Sequence, residues 1–360
     1  MKRITILLVS ILYILTSRVH AQVAYYDAER FPLIGKTSDE TETRYERLPA
    51  YLKEVSRPPV WNLGKNTSGL AIRFKTNSTA ISAKWEVLGD NRMNHMTETG
   101  IKGLDLYAWE ENHWQPVKAA LPTGKVNERT IISGMTPRER EYMLFLPLYD
   151  GLISLSIGID SAAYIKDPVL PYPDTTRPIL VYGTSITQGG CATRPGMSYT
   201  NILTRRLNKE VINLGFSGNG QLDYEIAELM ATRKDASLFV LDFIPNVNAA
   251  QLVEKTRPFY NILREANPGI PILFVETVIF PHSFYDKKTF EIITEKNRLL
   301  REEYEKIKRE GDKNVYYLAH DDLIGNDGEA TVDGIHFTDL GFSRMAGKLE
   351  ETILHINNQP

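Results

Sequence analysis

The chain has little cysteine and little histidine, with one Cys and seven His among 360 residues. The single Cys191 excludes an intrachain disulfide, and without Cys-rich or His-rich neighbours it is predicted to be a small buried residue. The sequence lacks the His-x-His and His-Glu-x-x-His spacings, which argues against a metal-dependent enzyme. The Gly218-Asn-Gly220 turn lacks the Gly-x-Gly-x-x-Gly spacing of a dinucleotide site, so neither a metal nor a cofactor is expected.

A large excess of one charge is also missing. Lys and Arg together number 42 and Asp and Glu 45, a formal charge of −3. This balance gives no indication of a nucleic-acid partner. Long apolar runs are absent beyond the first residues, so we expect no membrane insertion of the mature protein.

The first 21 residues have the pattern of a secretory signal peptide. Lys2 and Arg3 precede an apolar run of about 12 residues, and Val19 and Ala21 occupy the positions that precede a cleavage site. A membrane-spanning helix needs about 20 apolar residues, so an anchor is disfavoured. No Cys stands directly after the apolar run, which argues against a lipid-anchored lipoprotein. The mature protein is therefore predicted to be secreted or periplasmic. Removing Lys2, Arg3 and Arg18 changes its formal charge from −3 to −6.

Two stretches with different periodicity follow the predicted signal peptide. Residues 22–170 contain short runs that alternate with period two between turn residues, which predicts a β-sandwich or jelly-roll domain. Residues 171–178 are rich in proline and are interpreted as a linker. Residues 179–360 contain five apolar strands alternating with helical segments, which predicts a doubly wound, flavodoxin-like parallel sheet.

Candidate catalytic residues follow the strands of this second domain. Ser185 comes directly after the first strand, where Gly183 permits a sharp turn, and a nucleophilic serine needs a base with an orienting carboxylate. Asp333 and His336 supply both after the last strand. His320, also near a strand end, is the alternative base.

Two further strand ends offer groups that could bind an oxyanion. The second strand is followed by a Gly-rich turn with Gly218, whose backbone N–H could point at a developing negative charge. The third is followed by Asn246, whose side-chain amide could do the same. Each of these short motifs is common by itself. What is specific for a catalytic site is that all of them follow strands of the same sheet in this order.

This set of residues resembles the SGNH hydrolases, also called GDSL-type esterases. Gly183-Thr-Ser185 corresponds to the first block of the family, Gly218 to the second, Asn246 to the third and Asp333-x-x-His336 to the fifth. Thr184 replaces the usual Asp of the first block, and Val247 replaces the Asp that usually follows the asparagine. In the first half, Gly103-Leu-Asp-Leu-Tyr107 is similar to the Gly-x-Asp-Leu-Tyr motif of a β domain in one bacterial subgroup.

The resemblance implies a serine esterase with a Ser185–His336–Asp333 triad and an oxyanion hole formed by Ser185, Gly218 and Asn246. The expected substrate is a short-chain ester, chiefly acetyl, on carbohydrate or another small molecule, with Arg194 and His95 as candidate substrate-binding residues. The alternatives are a lipid-directed esterase or lysophospholipase of the same fold and a catalytically inactive glycan-binding protein. The acyl group, the sugar and the oligomeric state stay open.

Overall fold

The computed structural model describes residues 22–358, so the predicted signal peptide lies outside the described residues. The first part of the described chain, called the β half below, forms two antiparallel sheets. One contains β1 (Val23–Asp27), β4 (Ile81–Val87), β7 (Val126–Ile132) and β9 (Leu152–Asp160). The other contains β2 (Leu33–Ile34), β3 (Ala71–Thr76), β5 (Leu104–Glu110), β6 (His113–Ala120), β8 (Arg140–Phe145) and β10 (Ile165–Lys166). Short helices interrupt the strands: α1 (Leu52–Val55), α2 (Pro58–Gly64) and α3 (Glu98–Lys102).

The two antiparallel sheets share one apolar core. Phe74 of β3 and Trp85 of β4 belong to different sheets, and both are buried in the same cluster. Alternating side chains of each strand therefore face this core, as the period-two pattern predicts. The expected β domain is confirmed, although its sheets contain further strands that the sequence did not indicate, namely β1, β2, β6, β7 and β10.

The second part, called the α/β half, is one parallel sheet with the strand order β12-β11-β13-β14-β15. Its strands are β11 (Asp174–Gly183), β12 (Lys209–Gly215), β13 (Leu238–Asp242), β14 (Ile272–Val275) and β15 (Val315–Leu318). Its helices are α4 (Ser185–Gln188), α5 (Tyr199–Leu207), α6 (Tyr224–Ala231), α7 (Ala249–Ala266), α8 (Lys287–Arg309) and α9 (Asp339–Asn357). The chain order 2-1-3-4-5 is that of the predicted doubly wound fold.

Both faces of this sheet are covered. Leu180 and Tyr182 of β11 pack in one apolar cluster, while Ile179 and Val181 pack in the other. Successive side chains of a strand point to opposite faces, so a strand buried on both faces must be apolar throughout. This explains the unbroken apolar run that predicted β11. Among the described residues, no helix is long and apolar enough to cross a membrane.

The segment predicted as a linker is partly strand. β11 begins at Asp174, which pairs with Lys209, and the register then shifts before Ile179 pairs with Val211. The prolines in residues 171–178 led to the prediction of a linker. A strand can nevertheless include Pro178, because its missing N–H is not needed for pairing at that position. The proline-rich stretch is therefore continuous with the central strand.

Arg47 connects the β half to the sheet of the α/β half. It is almost completely buried, and its guanidinium donates to the carbonyl oxygens of Asn213 at 3.0 Å and Gly215 at 2.9 Å. It also donates to the carbonyls of Leu63 and Asn66. Burial lowers its pKa to about 9. These bonds hold the end of β12, where the loop carrying Gly218 begins.

Candidate active site

Ser185 lies at the first position of α4, immediately beyond the end of β11. Thr184 is the N-cap, and its side chain accepts a hydrogen bond from the N–H of Ile186. A Cβ atom at Gly183 would come within 2.0 Å of Thr187 Oγ1 and 2.6 Å of the Asp242 carbonyl. Only glycine therefore fits at the start of this turn, called the serine turn below (residues 183–188).

The structure brings Ser185, His336 and Asp333 together in one hydrogen-bonded path. His336 Nε2 lies 2.9 Å from Ser185 Oγ, and His336 Nδ1 lies 2.7 Å from Asp333 Oδ2. The other Asp333 oxygen accepts from the backbone N–H groups of Ile335 and His336. With Nδ1–H donating to Asp333, the lone pair of Nε2 faces the serine hydroxyl, which is the tautomer that a general base needs.

Asp333 is held in its charged form. Partial burial acts to raise the pKa of its carboxyl, but the hydrogen bonds from the His336 ring and from the backbone of residues 335 and 336 outweigh it, and the pKa falls to about 2. The carboxylate therefore stays ionised across the physiological range and can stabilise an imidazolium beside it.

His320, the alternative base, contacts a different carboxylate. Its Nδ1 lies 2.5 Å from Oε2 of Glu276, whose side chain is buried just beyond β14. Arg301 and the Tyr317 hydroxyl also donate to Glu276. Burial acts to raise the pKa of Glu276, but the hydrogen bonds from His320 and Tyr317 dominate and lower it to about 2. This arrangement stabilises the end of the sheet and leaves His336 as the imidazole hydrogen-bonded to Ser185.

The His320–Glu276 pair predicts a pH-dependent stability. The hydrogen bond to Glu276 raises the pKa of His320, so the charged pair contributes fully below the ordinary histidine pKa of about 6.5 and weakens as pH rises through the higher folded value. We expect His320→Gln to lose about 1 kcal/mol more stability at pH 5.5 than at pH 9, because a hydrogen bond between charged groups is stronger than a neutral one. Urea unfolding at both pH values measures this. The exposed His113→Gln is the control, and an equal loss at both pH values would contradict the prediction.

The loop after β12, called the oxyanion loop below (residues 216–220), lies against the serine turn. The Phe216 N–H donates to the Gly183 carbonyl at 3.0 Å, and Asn246 Nδ2 donates to the Phe216 carbonyl at 3.2 Å. Gly218 has a φ of +68°, which favours glycine. Because an amide has two N–H donors, the second hydrogen of Asn246 remains for a ligand. These contacts connect the segments of all three predicted oxyanion donors, Ser185, Gly218 and Asn246.

If Asn246 donates to the oxyanion, its removal should slow turnover. We expect Asn246→Ala to lower kcat on an aryl acetate by about 10²–10³-fold with little change in KM, because the donor would act mainly in the transition state. Stopped-flow or steady-state kinetics measures the change. Asn248→Ala is the matched control, since this nearby amide only caps α7. A kcat equal to that of the control would exclude Asn246 from the oxyanion hole.

The β half supports the serine turn directly. The Tyr149 hydroxyl donates to the Ser185 carbonyl at 3.1 Å, and Ser68 Oγ donates to the Gln188 carbonyl at 2.5 Å. The Gln188 side chain in turn accepts from the N–H of Ser217 in the oxyanion loop at 2.9 Å. Sequence reasoning missed these residues, because single polar side chains between apolar ones carry no recognisable spacing.

A buried carboxylate lies beneath the serine turn. Asp242, at the end of β13, accepts from the hydroxyls of Thr187 at 3.1 Å and Tyr199 at 2.8 Å. Burial without a cationic partner raises the pKa of Asp242 to about 7, despite the two hydrogen bonds that act to lower it. The sequence showed Asp242 only as the last residue of a strand.

Arg194, a predicted substrate-binding residue, is engaged by the Gly-x-Asp-Leu-Tyr motif. Its guanidinium donates to Asp105 Oδ2 at 2.6 Å and to the Tyr107 hydroxyl at 2.5 Å, and Asp105 also accepts from the Gly196 N–H. Arg194 lines a cavity of about 450 Å³ with Trp114 and Arg205. The triad residues do not line that cavity, so these contacts point to a structural role for the motif in joining β5 to the segment after the serine turn.

His95, the other predicted substrate-binding residue, lies beside the triad. Its ring centroid is 5.5 Å from that of His336, and its Nδ1 is 2.9 Å from the Asn94 side-chain oxygen. The loop that carries it is held at both ends, by Asn91 Nδ2 donating to the Tyr149 carbonyl and by Thr97 Oγ1 donating to the Thr193 carbonyl. The β half therefore places a half-buried imidazole at the entrance to Ser185.

A serine, a histidine and an aspartate joined in this order at the carboxyl edge of a doubly wound sheet define the arrangement of a serine hydrolase. The model of the GDSL-like lipase/acylhydrolase family matches residues 176–354. The GxDLY model, which describes the N-terminus of SGNH-hydrolase-type esterases, matches residues 23–165. The chain belongs to this GDSL-like, SGNH-type family, as its motifs indicated.

Solved structures of similar proteins extend over both halves. A Bacteroides ovatus ATCC 8483 protein described as a GDSL-like lipase is 38% identical, with 93% of this chain and 98% of that chain covered and a TM-score of 0.89. The salicylyl-acyltransferase SsfX3 of a tetracycline biosynthetic pathway is 18% identical, with coverages of 95% and 99% and a TM-score of 0.77. An acetyl xylan esterase, Est2A of Butyrivibrio proteoclasticus, is 12% identical, with coverages of 92% and 98% and a TM-score of 0.55. No curated protein matches the sequence.

Proposed function

We propose that this protein is a secreted or periplasmic serine esterase that hydrolyses short-chain esters, chiefly acetyl esters, on carbohydrate. The observation that carries the chemistry is the hydrogen-bonded path from Ser185 Oγ through the His336 ring to the Asp333 carboxylate. The export of the protein is inferred from the pattern of residues 1–21 alone.

The geometry supports a two-step acyl transfer. His336 Nε2 takes the hydroxyl proton as Ser185 Oγ attacks the ester carbonyl, and the negative oxygen is held by the N–H groups of Ser185 and Gly218 and by the Asn246 amide. The imidazolium, stabilised by Asp333, then protonates the departing alcohol. Water, deprotonated by the same imidazole, then attacks the acyl-serine carbonyl. As the bond between the acyl carbon and Ser185 Oγ breaks, the imidazolium returns the proton to Oγ, which releases the acid and restores the free enzyme.

The close packing around the triad favours a short acyl group. A Cβ at Gly190 would come within 2.7 Å of the Tyr149 hydroxyl and 3.1 Å of His336 Cδ2, so backbone already fills the space beside the imidazole. Ser185 itself is only 8% exposed. An acetyl group needs little room, whereas a long chain would need an apolar channel at this point.

Exposed aromatic rings near the triad favour a carbohydrate. Phe284 and Tyr285 are 83% and 86% exposed, and their rings lie 5.0 Å apart, edge to face. The His282 ring two residues earlier lies 3.2 Å from the carbonyl of Gly334, inside the Asp333–His336 segment. Exposed aromatic faces can pack on the apolar faces of sugar rings. The acetyl xylan esterase among the similar structures has the same fold.

The same exposed surface supports a lipid-directed esterase as the second candidate. Val332 and Ile335, on either side of Asp333 in the sequence, are also exposed, as are Phe284 and Tyr285. Because His282 contacts the Gly334 carbonyl, we infer that these four side chains belong to one apolar rim beside the triad. Such a rim could contact a lipid aggregate as well as a sugar. Acyl-chain length distinguishes the two substrates.

We expect acetate release from acetylated glycans, and a loss of at least about tenfold in kcat/KM from acetyl to octanoyl aryl esters, because the packed backbone excludes longer chains. The measurement is an acetate-release screen over acetylated plant and bacterial glycans, together with a series of aryl esters. Ser185→Ala is the blank. Higher activity on long chains would favour the lipid-directed alternative.

The contribution of the apolar rim to glycan binding is tested in the same screen. Tyr285→Ala should raise KM for a glycan while leaving aryl acetate hydrolysis unchanged. Tyr51→Ala, which removes another exposed tyrosine from the β half, is the matched control. An unchanged KM for the glycan in Tyr285→Ala would remove this support for a carbohydrate substrate.

A further inference from the structure

Three potential metal ligands meet at the entrance to the triad. One donor atom from each of His95, Cys191 and His336 can be chosen so that all three lie within 4.8 Å of one another. The residues come from three separate segments, the loop before α3, the turn after α4 and the loop before α9. The sequence indicated only a packing role for Cys191, because its two histidine neighbours are distant along the chain.

The hydrogen bonds leave suitable donor atoms. Nδ1 of His95 contacts the Asn94 side-chain oxygen and therefore carries the proton, which leaves the Nε2 lone pair free. Nδ1 of His336 is bound to Asp333, so Nε2 carries the lone pair, which faces Ser185 Oγ at 2.9 Å and for which an ion would compete with that hydroxyl. Cys191 is buried in a left-handed turn with a φ of +73°, and its burial limits the positions that the thiol can take. The site thus offers two imidazole nitrogens and one sulfur.

We propose that these three residues form an inhibitory site for a thiophilic divalent cation such as Zn²⁺. The nitrogen and sulfur donor set suits Zn²⁺ and disfavours Mg²⁺ and Ca²⁺, which prefer oxygen. Tetrahedral coordination with Zn–S of about 2.3 Å and Zn–N of about 2.0 Å places ligand atoms about 3.5 Å apart. Since the donor atoms lie within 4.8 Å of one another, binding needs a contraction of at most about 1 Å, which a side-chain rotation of the half-buried His95 can contribute to.

The ion would act on the base. His336 Nε2 is the atom that accepts the Ser185 proton under the proposed function, and an ion bound there occupies the lone pair. The Cys191 thiol would lose its proton to solvent on binding, as coordinated thiols do. The ion is not a cofactor in this scheme. It inhibits the reaction, and a chelator that removes it should reverse the inhibition.

The inhibition arm of the test rests on the proposed esterase activity. Zn²⁺ should inhibit aryl acetate hydrolysis by the wild-type protein, and EDTA should restore it. Cys191→Ala should keep its activity and lose sensitivity to Zn²⁺ by at least about tenfold, since loss of even an indirect partner of a metal ligand costs about 10–100-fold. His113→Ala, which removes an exposed histidine of the β half, should keep the wild-type sensitivity. Equal inhibition of wild type and Cys191→Ala would overturn the site.

A spectroscopic arm needs no activity. Co²⁺ added to the wild-type protein should give a thiolate-to-cobalt charge-transfer band in the near ultraviolet, and so should Co²⁺ added to Ser185→Ala. Cys191→Ala and His95→Ala should show no band or a strongly weakened one. A band in Ser185→Ala without measurable esterase activity in the wild type would support the metal site while overturning the proposed function. Absence of the band in the wild-type protein would overturn the metal site alone.

Discussion

Ser185→Ala is expected to lower kcat on an aryl acetate by about 10⁵-fold or more, because the attacking atom itself is lost. The variant should fold normally, since the hydroxyl contacts His336, while the backbone carbonyls of the turn accept hydrogen bonds from the Phe216 N–H and from the Ser68 and Tyr149 hydroxyls. Turnover measurements with circular dichroism and thermal unfolding test both parts.

An organophosphonate probe tests whether Ser185 is the nucleophile without requiring knowledge of the substrate. The wild-type protein should gain one covalent adduct on Ser185, seen by peptide mass spectrometry, and Ser185→Ala should gain none. Labelling of wild type would exclude the glycan-binding alternative with an inactive site. Full hydrolytic activity in Ser185→Ala would show that another residue is the nucleophile.

Asp333→Asn is expected to lower kcat by about 10⁴-fold while preserving the loop. The side-chain oxygen of asparagine can still accept from the N–H groups of Ile335 and His336, but its amide would donate to His336 Nδ1 and so place the imidazole proton on Nε2. Nε2 would then present an N–H to Ser185 instead of the lone pair that a general base needs. Steady-state kinetics on an aryl acetate measures the loss.

Asp327→Asn is the matched control for this substitution. Asp327 is an acidic residue of the same loop whose pKa is also lowered to about 2, chiefly by its hydrogen bond with Arg344, and it has no contact with His336 among the described bonds. Its replacement should affect stability more than kcat. If Asp333→Asn stayed within about tenfold of the control, the carboxylate would not orient the base.

Much of this architecture could be predicted because its signals are repeated or local. The five apolar strands of the sheet recur with helices between them, as the pattern of residues 179–360 predicted. Asp333 and His336 are three residues apart, a spacing that one loop can turn into a hydrogen bond. The strand ends then indicated where Ser185, Gly218 and Asn246 should lie.

The residues that escaped prediction act across long chain separations. Arg47 donates to carbonyls more than 160 positions later, and Tyr149 reaches Ser185 from the loop between β8 and β9. Backbone carbonyls exist at every position, so nothing in the sequence marks which of them a buried side chain will bind. Arg194 shows the reverse case: its charge suggested a ligand, but its partners are Asp105 and Tyr107 of the same chain.

The contacts of Tyr149, Ser68 and Arg47 mean that the two halves of the chain are not interchangeable modules. The antiparallel sheets share a core of their own, but one core of the parallel sheet also includes Leu48, Val60 and Trp61 of the β half. The hydrogen bonds that hold the serine turn and the end of β12 likewise cross between the halves. A chimaera that joined this α/β half to the β half of a distant relative would keep Ser185, His336 and Asp333 and lose the donors that hold their surroundings. We therefore expect a chimaera to keep a working active site only if both halves come from the same parent protein.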